Sequence, residues 1–198
     1  NTGLCYNWLH DYSSAKEYFN RAFKFCGEAC DPQIVIEGKF GMAISFYGLK
    51  QYKEAEEFLK ESLQLSIENG TQRFQHENIL ELVRIYLVQN DLKSADDYLK
   101  MMDSMTGMMV YKENMLARYE LTAEFYTKSK DFEKANLFQK KYSSLKDSIY
   151  NDHVIKNLNR VQTQFPQREN LAIIAANNQW LALNKTAIQQ QHVPPRRQ

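Results

Sequence analysis

The stretch Asp131-Phe132-Glu133-Lys134-Ala135-Asn136-Leu137-Phe138 has three earlier counterparts in the chain. They are the segments Asp11 to Tyr18 (DYSSAKEY), Gln51 to Phe58 (QYKEAEEF) and Asp91 to Tyr98 (DLKSADDY). Each segment has an alanine at the same place, at positions 15, 55, 95 and 135, so the step between copies is 40 residues. A fixed period of this size predicts repeated structural units that stack on one another.

Other positions of the repeat hold aromatic or small residues. Nine residues before each alanine stand Tyr6, Phe46, Tyr86 and Tyr126, and three residues after it stand Tyr18, Phe58, Tyr98 and Phe138. Twelve before it stand Gly3, Ala43, Val83 and Ala123. Spacings of three and four place residues on one helix face, so small residues let two helices approach while rings fill the space beside them. The pattern predicts that each unit is a hairpin of two antiparallel helices.

This pattern of small and aromatic residues resembles the tetratricopeptide repeat (TPR), whose usual period is about 34 residues. The resemblance covers residues 1 to about 146 and implies an all-α fold, a right-handed α-solenoid of helical hairpins. The four units are predicted to span residues 1–30, 31–70, 71–108 and 109–146. Asp11, Asp91 and Asp131 are placed to cap the second helices of their units, and Asp31-Pro32 to start a first helix.

The repeat positions are no longer matched after Tyr142. An apolar stripe that includes Val154, Leu158 and Phe165 predicts a helix over 147–165 that caps the solenoid. We expect Pro166 to end this helix, a second helical segment to follow over 167–191, and a flexible tail over 192–198.

A second resemblance involves the run Leu145 to Tyr150 and the later Gln162 to Phe165. It is similar to the junction after the repeats in bacterial TPR-containing sensor histidine kinases and related regulators. It implies that the chain is the sensing domain of a larger bacterial signalling protein, periplasmic in a membrane sensor kinase and cytoplasmic otherwise. The chain begins without Met, so we expect a fragment, and a kinase domain would lie outside it.

Composition and motifs argue against several classes of function. The net charge of +1 gives no reason to expect nucleic acid as a partner, and no apolar run reaches the roughly 20 residues of a membrane span. No phosphate-binding loop or catalytic motif is present, so we expect a non-enzyme without cofactors. The four histidines and three cysteines lack metal-ligand spacing. We interpret Cys5, Cys26 and Cys30 as thiols, with a Cys5–Cys26 disulfide as the alternative in an oxidising compartment.

Solenoid curvature creates a concave surface lined by the first helix of each unit, and we expect a protein or peptide to bind there. By resemblance to TPR packing, the predicted groove combines an apolar end, a central arginine and an acidic end, which suits a ligand with an apolar stretch and a basic group. Its predicted residues are Asn7, Phe40, Ile44, Tyr47, Glu77, Leu80, Arg84, Leu87, Glu120, Glu124 and Thr127.

The alternative function is a self-assembly module. In that interpretation the 167–191 segment makes a homodimer, either as a coiled coil or by docking into the groove of another copy. The residues predicted to drive self-association are Leu171, Ile174, Trp180, Leu181 and Ile188.

Overall fold

The computed structural model describes residues 2–27, 30–105 and 112–191, and the elements found in these ranges are α-helices. In chain order they are α1 (Thr2–Trp8), α2 (Tyr12–Cys26), α3 (Pro32–Gly48), α4 (Tyr52–Glu68), α5 (Gln72–Val88), α6 (Leu92–Ser104), α7 (Lys112–Lys128) and α8 (Phe132–Gln191). The predicted all-α solenoid is therefore confirmed. The chain divides into two units at Lys146 and Asp147, and α8 contributes residues to both.

The four repeat alanines occupy equivalent places, as predicted. Ala15, Ala55 and Ala95 are 0% exposed and Ala135 is 8% exposed. In each repeat the alanine amide donates to the backbone oxygen four residues earlier, at 3.0 to 3.1 Å. A small side chain at this position lets the two helices of a hairpin lie close together, which is why alanine recurs there.

The aromatic pairs beside these alanines also repeat. Their ring centroids are 5.1, 5.3, 5.6 and 5.7 Å apart, and each pair is stacked. Stacking of two rings adds about 0.5–1.5 kcal/mol to the burial of their area. The four pairs therefore join the two helices of every hairpin in the same way, and they are Tyr6–Tyr18, Phe46–Phe58, Tyr86–Tyr98 and Tyr126–Phe138.

The turn inside each hairpin follows the same period of 40. Its left-handed residue is His10, Lys50, Asn90 or Lys130, with φ between 59° and 65°. The following amide closes the turn by donating to the oxygen five residues earlier, as Asp91 N does to Tyr86 O at 2.8 Å. None of these residues is glycine, although glycine reaches this conformation at the lowest cost.

The predicted N-caps are present at all four positions. The carboxylates of Asp11, Asp31, Asp91 and Asp131 accept hydrogen bonds from backbone amides at 2.8 to 3.2 Å. Each bond satisfies a donor that has no partner inside the helix. The helix starts could therefore be located from sequence because this hydrogen bond is local.

The predicted break at Pro166 is wrong. Residues 147–165 and 167–191 belong to the single helix α8, which continues through the proline. A proline inside a helix removes one hydrogen bond, but the turns on either side keep theirs. No glycine and no other proline lies between residues 108 and 193, so no second helix breaker reinforces Pro166. The predicted tail over 192–198 and the boundary at 108–109 lie outside the described residues.

The interpretation of Cys5 as a free thiol is confirmed, but that of Cys26 and Cys30 was wrong. Cys26 and Cys30 form a disulfide with their Cα atoms 5.1 Å apart, whereas Cys5 is a free, exposed thiol. A spacing of four would put these two cysteines on one face of a continuous helix. Instead α2 ends at Cys26, Gly27 turns the chain with φ of 57°, and Cys30 returns just before the N-cap of α3.

Candidate peptide-binding surface

Three first helices of the hairpins, α3, α5 and α7, present polar and aromatic side chains to solvent beside one another. The rings of Phe40 on α3 and Phe74 on α5 meet edge to face, with centroids 5.8 Å apart. Helix α5 contacts both α3 and α7, so the three helices adjoin in this order. We use the name groove surface for the solvent-facing residues Phe40, Ile44, Tyr47, Glu77, Glu81, Arg84, Val88, Glu120, Glu124 and Thr127.

The α3 part of the groove surface is apolar. Phe40, Ile44 and Tyr47 are half-buried at spacings of four and three, so they form one stripe. Tyr47 packs against Tyr52, with ring centroids 5.6 Å apart. Burial raises the pKa of the Tyr47 phenol, and nearby Arg84 acts in the opposite direction. The hydroxyl is therefore protonated at neutral pH and can donate a hydrogen bond.

The α5 part carries ion pairs. Arg84 Nε lies 3.2 Å from Glu81 Oε2, and Arg73 Nε lies 2.9 Å from Glu77 Oε1. Burial raises the pKa of the Glu81 carboxyl, Arg84 opposes this rise, and Glu77 adds to it. A guanidinium has five N–H donors, of which the bond to Glu81 uses one. Arg84 can therefore hold Glu81 and still donate to a ligand.

The α7 part is acidic and borders a cavity of about 430 Å³. Glu120, Glu124 and Thr127 are exposed at its edge, and Ala135 and Gln139 of α8 form its other side. Lys128 Nζ is 3.7 Å from Glu124 Oε1, a loose pair on an exposed surface. Glu120 and Glu124 thus place two carboxylates at one end of the groove surface, where a basic side chain of a ligand could contact both.

Three predicted groove residues do not face solvent. Asn7 is 7% exposed, donates from Nδ2 to Gly41 O at 2.7 Å, and accepts from Ser45 Oγ at 2.8 Å. Leu80 and Leu87 are 5% and 0% exposed and belong to the core. These three expectations were wrong because a position in the repeat does not determine exposure. On α5 both leucines pack into the core that the neighbouring helices complete.

Two residues of the groove surface were missed from sequence. Glu81 and Val88 complete a stripe with Glu77 and Arg84 at spacings of four, three and four along α5. Val88 is 47% exposed, and Glu81 forms the ion pair with Arg84. Their spacing was the signal that could have identified them, since it marks one helix face.

The residues predicted for self-association are described only in part. Ile174 and Trp180 are 55% and 64% exposed. The side chains of Leu171, Leu181 and Ile188 lie outside the described part of the structure. Ile173 and Leu183, which the sequence reasoning did not select, are 53% and 65% exposed. The described part of α8 thus displays four large apolar side chains between residues 173 and 183.

Within residues 2–27, 30–105 and 112–191, no three His, Cys, Asp or Glu side chains are grouped so that they could hold a metal ion. Among the helices of the same ranges, none combines the length and the apolar character that a membrane crossing requires.

Comparison with solved structures identifies neighbours of the same fold. BtubC (BKLC) from P. vanneervenii superposes with a TM-score of 0.61 at 16% identity, over 75% of this chain and 62% of its own. A putative kinesin light chain with nearly identical TPR-like repeats from Podosopora anserina gives a TM-score of 0.58 at 13% identity, over 75% and 73%.

No protein-family model and no curated protein sequence matches the chain. The chain spans about three fifths of the length of BtubC. At these levels of identity the likeness concerns the fold alone, and the fold is that of TPR-like repeats.

Proposed function

We propose that the chain is a non-catalytic scaffold that binds a protein or peptide segment along the groove surface. The observation that carries the proposal is the order of chemistry across three adjacent helices. An apolar stripe on α3 is followed by the Arg84–Glu81 pair on α5 and by two exposed carboxylates on α7. A ligand with an apolar stretch and a basic group matches this order.

Each part of the groove surface has a separate task in this proposal. Phe40 and Tyr47 offer ring faces to apolar side chains of the ligand, and such aromatic anchors often dominate binding energy. Arg84 donates to a backbone or side-chain oxygen. Glu120 and Glu124 attract the basic group, a contact that governs association rate and register more than affinity.

The test uses a peptide array in which apolar residues and one lysine or arginine are varied. Tyr47→Ala and Arg84→Glu should each abolish capture of the peptides that the unaltered chain retains. The matched control is Lys53→Glu, the same reversal of charge at an exposed position of α4. Circular dichroism should show native helix content for all three variants. Capture that survives both groove substitutions would reject the proposal.

We also propose that the chain is the sensing domain of a larger bacterial signalling protein. The support is the resemblance of the junction after the repeats, together with α8, which begins in the fourth hairpin and runs to Gln191. The sequence of the full-length gene product tests this proposal. A membrane span and a kinase domain beside this segment would support the proposal and a periplasmic place for the repeats, and their absence would remove it.

A second candidate function is self-association, and the exposed apolar side chains of α8 favour it. Trp180 is 64% exposed in a stretch with three other large exposed apolar residues. Clustered apolar exposure of this kind marks interaction sites more often than isolated exposure does. Light scattering of the full chain should therefore give a mass above that of one copy, and Trp180→Glu should lower it. Tyr150→Glu, at another exposed aromatic of α8, is the matched control.

A further inference from the structure

A chain of buried hydrogen bonds connects three helices below the groove surface. Asn78 Nδ2 on α5 donates to Ser62 Oγ on α4 at 3.0 Å and to Phe74 O of its own helix at 2.7 Å. Ser62 Oγ in turn donates to Ile36 O on α3 at 3.1 Å. Asn78, Ser62 and Ile36 are all 0% exposed. These bonds therefore link α5 to α3 through α4, away from water.

The linked residues also contact the groove surface. On α3, Ile36 stands one turn before Phe40, which belongs to the groove surface. On α5, Phe74 stands one turn before Asn78. The rings of Phe40 and Phe74 meet with their centroids 5.8 Å apart. The contacts thus form a closed path through the three helices, and all of them are made together at a single offset of α5 along α3.

The pair of Ser62 and Asn78 is not a feature of the repeat. Steps of 40 residues from Ser62 reach Ala22, Met102 and Tyr142, and such steps from Asn78 reach Gly38 and Arg118. The folding of a hairpin therefore does not depend on this pair. The pair also has an energetic cost, because no protein donor in the described ranges reaches the buried Asn78 Oδ1. A polar group that is kept in a core at such a cost indicates a role other than stability.

We propose that Asn78 and Ser62 are positioning residues that fix the offset between the α3 and α5 parts of the groove surface. Their role rests on the proposed function, since the offset determines which ligands this surface accepts. Helix α7 contacts α5, so the same offset sets the distance from the apolar stripe to Glu120 and Glu124. The preferred ligand is then a peptide whose apolar and basic residues are separated by one particular number of residues.

The test measures capture of synthetic peptides in which the spacing between one apolar residue and one lysine increases residue by residue. The unaltered full chain should retain one spacing most strongly. Ser62→Ala and Asn78→Leu should each weaken capture of that peptide by about 3- to 10-fold and flatten the preference. The reason is that the binding-competent offset loses the free energy of one hydrogen bond relative to other offsets.

Stability should respond differently from binding. Leucine has no oxygen to bury, so Asn78→Leu should leave the thermal midpoint of unfolding unchanged or raise it. The matched control for Ser62→Ala is Ser66→Ala. Ser66 also lies on α4 and is 0% exposed, but its Oγ donates to Leu63 O of the same helix at 2.7 Å. This control removes a buried hydroxyl without cutting a link between helices, so the spacing preference should persist.

The possible failures are distinguishable. If Ser62→Ala and Asn78→Leu keep the spacing preference of the unaltered chain, the positioning role is rejected and the proposed function stands. The same conclusion follows if the unaltered chain retains peptides of every spacing equally, or if Ser66→Ala flattens the preference as much as Ser62→Ala. If the unaltered chain retains no peptide of the series, the proposed function itself fails, and the positioning role fails with it.

Discussion

The repeats before Lys146 and the helix beyond it use apolar residues in opposite ways. In the repeats, large apolar side chains such as Ile79, Leu82 and Ile85 are 0% exposed, since each hairpin covers its neighbour. From Asp147 onward, no residue with a described side chain is buried. Both regions are helical, so helix formation alone does not create a core. What differs is whether an adjacent element carries a complementary set of side chains.

The largest expected effect comes from truncating a core leucine. Leu82→Ala should lower the free energy of unfolding by about 2–5 kcal/mol, because the cavity left behind is only partly filled by relaxation. The matched change Leu183→Ala, at a side chain 65% exposed, should alter it by less than about 0.5 kcal/mol. Urea denaturation followed by circular dichroism measures both. Equal losses of unfolding free energy for the two variants would contradict the difference in burial between the two regions.

Adding one methyl group probes how tightly the repeats are packed. A Cβ at Gly41 would overlap the Phe19 ring, so Gly41→Ala should cost about 1–3 kcal/mol of unfolding free energy. Phe19→Leu should relieve the overlap, since leucine occupies the same repeat position at Leu59 and Leu99. Denaturation of the single and double variants gives the coupling energy. Ala175→Leu on exposed α8 is the comparison change, and a similar loss there would contradict the prediction.

Removing one hydroxyl tests a polar contact in the core. Tyr86 Oη donates to Glu56 Oε1 at 2.8 Å, and burial together with this carboxylate raises the pKa of the Tyr86 phenol. Tyr86→Phe should lower the unfolding free energy by about 0.5–1.5 kcal/mol. Glu56 keeps its bond to Lys60, so it is not left without a partner. Tyr150→Phe, at a ring 68% exposed, should leave stability unchanged in the same urea titration.

The smallest effect concerns pH. Hydrogen bonds from Ser94 lower the pKa of the Asp91 carboxyl in the folded chain. Because the folded pKa lies below the unfolded value, this carboxylate stabilises the fold above the unfolded pKa, and the contribution is lost as pH falls through the folded pKa. Asp91→Asn keeps a capping oxygen but cannot titrate.

Unfolding free energy measured from pH 7 down to pH 2 should therefore decline less steeply for Asp91→Asn than for the unaltered chain. A slope that Asp91→Asn leaves unaltered would show that the cap does not contribute to acid sensitivity.

Sequence reasoning succeeded where the information is local. The period of 40 identified the hairpins, the stacked rings and the caps, because each depends on residues within one unit. It also placed Phe40, Tyr47 and Arg84 on the solvent-facing side of their helices, where the structure leaves them half-buried. A residue's place in the repeat was enough for the hairpins, the rings and the caps, but not for exposure, since Leu87 stands at the repeat place of Tyr47 and is buried.

The errors arose where exposure or pairing depends on neighbours. Leu80 and Leu87 are buried by packing against neighbouring helices, which the spacing of residues along α5 does not reveal. Asn7 is buried by hydrogen bonds with Gly41 and Ser45 of the next unit. The Cys26–Cys30 disulfide depends on the turn at Gly27, which ends α2 after Cys26. Three of these four details involve contacts across units, which a single repeat does not contain.

The four turns at His10, Lys50, Asn90 and Lys130 share one backbone conformation, and this has a genetic consequence. An in-frame deletion of residues 51–90 would join Lys50 directly to Asp91 and recreate the same closing turn. Duplication of that segment would add a hairpin just as simply. Unequal recombination can therefore lengthen or shorten the array in whole modules, so the number of hairpins is open to rapid evolutionary adjustment.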